Sequence, residues 1–358
     1  MFIVVSSKNY NVLSYGAVGN GNNDDTQAFI KAWTDTCKDS DRPVMLIPKG
    51  KTFLVHPVTF AGPCKSSQVD VQLSGNVIAP NDPNAWKGLD FGKWLTFQYV
   101  DGLTVSGDGL LDGRGKGWWD ISCKYNPGKI LRFENCNNVK TTRIRTVQSG
   151  GVHLVYFGCQ GVEVTSVNIN APDESPNTDG IRLSHSTSVS ITDSIIGTGD
   201  DCIAMLDRSY NISITRVNCG PGHGISIGSL GGNGDEVDLE NITISHINFY
   251  NTTNGARIKT WPAGKGQVRN VEFSNIKFKE VENPIIIDQH YVRYHELSGT
   301  SKTDMAMNFD CSENVPCKNI SLKNIELRTA SSVQSVSSNC NNAFGSAEGK
   351  VVPKPCLR

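Results

Sequence analysis

The sequence predicts an all-β fold, a parallel β-helix or solenoid forming one domain over its 358 residues, with a short helix capping its N-terminal end. Three observations predict it. The pattern apolar-x-apolar-x-x-apolar-x-apolar recurs eight times. Its copies follow one another at intervals of a solenoid period, roughly 20–30 residues. One helical pattern stands ahead of them all.

Clear copies are Val162, Val164, Val167, Ile169; Ile212, Ile214, Val217, Cys219; Ile242, Ile244, Ile247, Phe249; Val271, Phe273, Ile276, Phe278; and Ile320, Leu322, Ile325, Leu327. Weaker ones begin at Val139, Val189 and Val292, and the step from Val271 to Val292 is the shortest of the series. Alternation with period two indicates strand, and the two-residue break indicates a corner after which the apolar side still faces inward. One such coil cannot bury its apolar face alone, so copies must stack about 4.8 Å apart with their strands paired. An antiparallel sandwich is the competing architecture, but its hairpins would place turn signals about every 8–12 residues instead of this two-strand unit with a longer return. The segment "DDTQAFIKAWTDTC" supplies the cap at about residues 24–37. Asp24 or Asp25 can start the helix, and Phe29, Trp33 and Cys37 share a face. Coils are expected over about 100–330 and a C-terminal tail over about 331–358.

With 38% hydrophobic and 19% charged residues the chain reads as globular, and a net charge of −1 gives no field to gather nucleic acid or an anionic membrane. No run approaches the roughly 18 apolar residues of a membrane span. Eleven cysteines and sequons at Asn211, Asn241, Asn251 and Asn319 point to an exported, disulfide-containing, glycosylated protein. "MFIVV" is too short for a secretory signal, so the numbering is read as starting near a mature terminus. Position suggests bridges Cys37 with Cys64, Cys202 with Cys219, Cys311 with Cys317 and Cys340 with Cys356. Buried thiols are the alternative for several of these, and the odd total leaves one cysteine over.

A second alignment lies within the coils, in "NTDGIRL", "GDDCIAM" and "GHGISIG". The steps from Asp179 to Asp201 and from Asp201 to His223 are equal, and each of the three precedes an isoleucine by two, Ile181, Ile203 and Ile225. Equal spacing puts them on neighbouring rungs at one angular position. In "GARIKTW", an inward Ile258 makes Arg257 and Lys259 face outward. Asp179, Asp200, Asp201, His223, Arg257 and Lys259 therefore converge on one strip. Exposed ion pairs contribute only about 0–1 kcal/mol, and stacked carboxylates repel, so stability does not explain the strip. Glycoside hydrolysis does: it needs one protonated carboxyl and one ionised, and crowding separates their pKa values. A solvated turn and a calcium site are the alternatives, the latter opposed by the two cations. No metal or cofactor is expected.

In order, Asn-Thr-Asp at 177–179, Gly-Asp-Asp at 199–201, Gly-His-Gly at 222–224 and Arg-Ile-Lys at 257–259 resemble the signature of the polygalacturonases, pectin-cleaving glycoside hydrolases of family 28. "NVLSYGAVGNGNNDDTQAFIKAW", "GLLDGRGKGWW", "SPNTDGI", "CGPGHGISIGSLG", "RIKTW" and "NPIIIDQ" extend the resemblance over nearly the whole chain, in the wording of the plant branch. It implies a right-handed β-helix, a secreted monomer acting in the cell wall on polygalacturonate, and an inverting mechanism. Within that mechanism Asp200 is the general acid, Asp179 and Asp201 hold and deprotonate water, and His223 tunes the acid. Arg257 and Lys259 bind a galacturonate carboxylate, and Asn177, His153 and Tyr291 line the cleft. Whether the chain cuts within the polymer or at its end is left open, with internal cutting favoured.

The pattern departs from the family after Tyr291, where a cysteine and a disulfide-closed loop are expected but Val292 already opens the next repeat. A catalytically impaired pectin-binding isoform is therefore one alternative. A pectate lyase is the other, opposed by the Asp-Asp and Gly-His-Gly elements.

Overall fold

The corner inside each repeat is made by backbone conformation. In all eight copies the second residue of the two-residue break lies in the left-handed region: Arg143, Ser166, Asp193, Arg216, His246, Asn275, Glu296 and Asn324 have φ between 51° and 58°. A non-glycine residue there costs on the order of 1–2 kcal/mol. Burial on both sides offsets the cost, since Ile212, Ile214, Val217 and Cys219 are all 2% exposed or less, as are Ile242, Ile244, Ile247 and Phe249.

The computed structural model describes residues 8–121, 130–261, 264–287, 292–313, 316–331 and 335–358. They group into two compact units, residues 1–178 and 179–358. In the second unit the repeat strands pair in parallel, with Val189, Ile212, Ile242, Val271 and Val292 matched rung to rung. Side chains repeat the register: Asn241 Nδ2 donates to Asn211 Oδ1 and Asn270 Nδ2 to Asn241 Oδ1, each at 3.0 Å. A second parallel ladder runs through Ile181–Ser184, Ile203–Met205, Ile225–Leu230, Asn254–Thr260, Asn283–Ile287, Met305–Asp310 and Ser337–Asn341. Crossovers between parallel strands are right-handed, and the architecture is a right-handed parallel β-helix.

In the first unit the same coil is built from shorter strands. Val44–Ile47, Val69–Leu73, Leu103–Ser106, Asn137–Thr142 and Gln160–Thr165 form one ladder. Val58–Ala61, Leu95–Gln98, Leu131–Glu134 and Leu154–Phe157 form another. Phe97, Phe133 and Tyr156 occupy equivalent rungs and stack with ring centroids 5.8 and 4.9 Å apart. Coil strands therefore precede residue 100 and continue to Val352, so the expected coil limits of 100 and 330 are too narrow. The early coils join their strand pieces through turns of unequal length, as between Val44–Ile47 and Thr52–Leu54, which hides the eight-position pattern. The last coil pairs polar residues such as Ser337–Asn341, which carry no apolar signal.

The cap helix is Thr26–Lys38. Asp24 Oδ1 accepts from the Thr26 N–H at 2.9 Å, while Asp25 ties down the preceding turn through the N–H groups of Val18 and Gly19. Phe29 and Trp33 are buried, Trp33 at 5.5 and 5.2 Å from the rings of Phe60 and Phe97, and Cys37 is bridged to Cys64. A second, short helix at Lys116–Asp120 is not signalled by the sequence pattern. The remaining bridges are Cys202–Cys219, Cys311–Cys317 and Cys340–Cys356. Cys136 and Cys159 are buried thiols, and Cys123 lies outside the described residues. No described helix is long and apolar enough to cross a membrane.

Tyr294, at a repeat position, is fully buried against Phe273, and its hydroxyl has no hydrogen-bond partner among the described residues. Removing an unsatisfied buried hydroxyl is neutral to stabilising. Tyr294→Phe should leave chemical-denaturation stability unchanged or raise it by up to ~1 kcal/mol; a loss of more than ~1 kcal/mol would mean that the hydroxyl is satisfied.

Candidate active site

The site is assembled by one register. Ile181 pairs with Ile203 and Ile203 with Ile225, at equal intervals along the chain, and all three are fully buried. The backbone bonds Gly180 N–H to Asp201 O at 2.9 Å and Cys202 N–H to Gly224 O at 2.8 Å extend the pairing just ahead of the strands. Asp179, Asp201 and His223 are thereby delivered to the same edge. Close backbone approach requires glycine around them: a Cβ on Gly197 would stand 2.6 Å from the Gly220 carbonyl oxygen, and one on Gly222 2.7 Å from that of Asp200. The Cys202–Cys219 bridge fastens the turn from behind.

The three carboxylates have different surroundings. Asp201 is buried, accepting from Lys259 Nζ and from Ser226 Oγ, both at 2.6 Å. Asp179 is buried and held by Arg182, through Nε at 3.0 Å and Nη2 at 2.8 Å. Asp200 is the open one, with 21% of its side chain exposed, beside a His223 that is 41% exposed. Its Oδ1 lies 3.0 Å from His223 Nδ1 and accepts the Asp201 N–H at 2.8 Å.

Charge follows from this arrangement. Burial pushes the Asp179 carboxyl up to about 6, Arg182 opposes the rise, and the neighbouring charges of Asp200 and Asp201 add to it. Burial acts the same way on Asp200, but His223 outweighs it and holds that carboxyl below its ordinary value. The hydrogen bond to Asp200 in turn raises His223 above its ordinary 6.5. Two buried carboxylates each clamped by a cation, with an exposed carboxylate–imidazole pair alongside, can position a water and move a proton. Donor atoms of Asp200, Asp201 and His223 lie within 4.8 Å of one another. Lys259 already neutralises Asp201, and a protonated His223 adds like charge, so the set suits a cation poorly.

Outward placement of Arg257 and Lys259 holds, since Ile258 between them is fully buried. Their surroundings differ. Lys259 pairs with Asp201 instead of standing free for a ligand, whereas Arg257 has no hydrogen-bond or ion-pair partner among the described residues. Its charge nevertheless reaches the site, because it opposes protonation of His223. His153 corrects the expectation of a cleft residue. It is fully buried in the first unit with Nδ1 2.8 Å from Thr146 Oγ1, and burial pushes its pKa down to about 3, so it is an interior group with no surface to offer a sugar. Asn177 belongs to the first unit, half-buried with φ 53°. Tyr291 lies outside the described residues. Sequence reasoning missed Arg182 and Ser226, both one residue after an inward isoleucine, where the rule that placed Arg257 beside Ile258 would have found them.

Residues 37–348 match the model of glycosyl hydrolases family 28. A probable polygalacturonase of Arabidopsis thaliana is 39% identical over 98% of this chain and 85% of its own length. Polygalacturonase-2 of Solanum lycopersicum is 38% identical over 94% of this chain and 79% of its own length. The crystal structure of an exopolygalacturonase from Thermotoga maritima shares the fold, with a TM-score of 0.82 over 96% of this chain and 91% of that one at 17% identity. This chain belongs to glycosyl hydrolases family 28. It is a glycoside hydrolase.

A carboxyl whose folded pKa exceeds its ordinary 3.8 favours the folded state only while protonated, so its contribution is lost as pH rises through about 6. Asp179→Asn should therefore be more stable than the parent at pH 7, by about 1–3 kcal/mol. That advantage should vanish towards pH 4. Melting temperatures across this range check it, and a variant less stable at pH 7 would show that the Arg182 ion pair outweighs burial.

Proposed function

We propose that this chain hydrolyses α-1,4-galacturonosyl linkages of polygalacturonan, the backbone of pectin, with inversion at the anomeric carbon and without a metal or cofactor. The observation that carries the reading is the asymmetry among three crowded carboxylates: one is open and bonded to an imidazole, and two are buried and bonded to cations.

Asp200 is the carboxyl that can reach a leaving oxygen. His223, 3.0 Å away, holds that carboxyl below its ordinary value while the carboxylate raises the imidazole above its own, so a proton entering the free pair settles on His223 first. A bound sugar chain excludes water from the pair, and desolvation raises the pKa of Asp200 while lowering that of His223. The imidazolium then returns its proton to Asp200, leaving a neutral imidazole and a carboxylic acid that protonates the glycosidic oxygen as the bond to carbon breaks. Asp179 and Asp201 hold the attacking water, fixed in orientation by Arg182, Lys259 and Ser226. One of them accepts the water's proton as oxygen bonds to the opposite face of the sugar. Arg257, a cation without an internal partner among the described residues, supplies a fork for the galacturonate carboxylate. Relatives named polygalacturonases support this substrate class. The four disulfide bridges and the four sequons support export, and we extend the reading to a monomeric cell-wall enzyme that contacts neither nucleic acid nor membrane.

Asp200→Asn should remain folded and lose reducing-end release from polygalacturonate by at least about 10²–10⁴-fold. Turnover equal to the parent would remove Asp200 from the acid role, and binding without release by the parent itself would mark a pectin-binding protein. Arg257→Gln should raise KM about tenfold or more and flatten the dependence of KM on ionic strength, because an ion pair with the substrate is lost. An unchanged salt dependence would place the substrate carboxylate elsewhere.

A further inference from the structure

Trp33, Trp86, Trp94 and Trp118 are buried, Trp119 is half-buried, and Trp261 alone is exposed, at 56%. The indole N–H groups of Trp33, Trp86, Trp94 and Trp119 donate to backbone carbonyls, of Ala61, Lys93, Val55 and Ser149 respectively. The indole N–H of Trp261 has no acceptor among the described residues. Leaving a large aromatic ring and its donor in water forgoes both of the ways a tryptophan ordinarily stabilises a fold.

The ring is nonetheless held in place. The Trp261 backbone N–H donates to the Leu230 carbonyl at 2.8 Å, and its own carbonyl accepts from the Gly264 N–H at 2.9 Å. The pyrrole half of the indole rests against Gly232: a Cβ there would stand 3.5 Å from Nε1 and 3.6 Å from Cδ1. A glycine beneath the indole leaves most of the aromatic surface uncovered. Trp261 directly follows the strand Asn254–Thr260, two positions beyond Lys259 and four beyond Arg257, so its Cα lies within about 7 Å of that of Lys259.

We propose that Trp261 is an aromatic platform for one galacturonosyl ring of the polymer, adjoining the cationic pair Arg257 and Lys259. The inference rests on the galacturonan reading and deepens it. A pyranose presents C–H groups on its faces and hydroxyls at its rim. The open indole meets the face, the indole N–H meets a hydroxyl, and Arg257 meets a carboxylate. The platform adds affinity in both ground and transition states, so its loss appears mainly in KM.

The test uses the intact enzyme and polygalacturonate. Trp261→Ala should raise KM about three- to tenfold with a smaller change in kcat, and Trp261→Phe should recover part of the loss. In the Asp200→Asn background, which prevents turnover, polygalacturonate should shift the tryptophan emission and protect it from iodide quenching. Both effects should disappear when Trp261 is also replaced. A parent that releases reducing ends, with a KM unchanged in Trp261→Ala and an emission that polygalacturonate does not move, would overturn the platform. A parent that neither releases reducing ends nor changes emission would overturn the substrate reading, and the platform with it.

Discussion

Parallel pairing of consecutive windings is the constraint on which everything else depends. The inward isoleucines must lie on one another to stay out of water, and that requirement fixes the same rung-to-rung offset for both steps, from Ile181 to Ile203 and from Ile203 to Ile225. Slipping one strand by a single residue would turn every buried side chain to solvent, at a cost far above the repulsion between a few carboxylates. Burial in the coil therefore dictates where Asp179, Asp201 and His223 stand. Their positions are set by residues that take no part in chemistry.

The same constraint explains how so much charge is tolerated in a small volume. Two carboxylates are driven into the sheet surface, and each is met by a cation from the outward face of a strand: Arg182 from its own rung, Lys259 from two rungs on. The third carboxylate has only an imidazole, and with it partial exposure. A site of this kind concentrates negative charge where water is scarce, which costs stability and creates the pKa differences that proton transfer needs.

Most of the architecture was legible in the sequence because its determinants are local. The repeat with its two-residue break specified strand, corner and strand, and the left-handed residues Ser166, Asp193, Arg216, His246 and Asn275 stand where the break was read. The equal spacing of Asp179, Asp201 and His223 placed these three residues on one edge of neighbouring rungs, and the four bridges suggested by position are all present. Several features were not legible, each for a physical reason. Coils before residue 100 join their strand pieces through turns of unequal length, so no single window shows the pattern. His153 reads as polar, yet it is buried on Thr146. Lys259 could be placed on the outward face, but pairing with Asp201 depends on a side chain crossing two rungs, which spacing does not encode.

The departure after Tyr291 also has a structural reading. Val271 and Val292 are matched in register across the shortest step of the repeat, and the strand that Val292 opens pairs onward with Cys317–Thr329, so the stack extends on both sides of the departure. Catalysis then depends on whether a substrate chain lies along the strip that the register creates. A crystal structure of the Asp200→Asn variant with a bound galacturonan oligomer decides this most directly. The account predicts a glycosidic oxygen within hydrogen-bond reach of residue 200, a water held by Asp179 and Asp201 on the opposite side of the sugar, and a galacturonate carboxylate on Arg257. An oligomer seated away from these residues, or a water held by other groups, would contradict it.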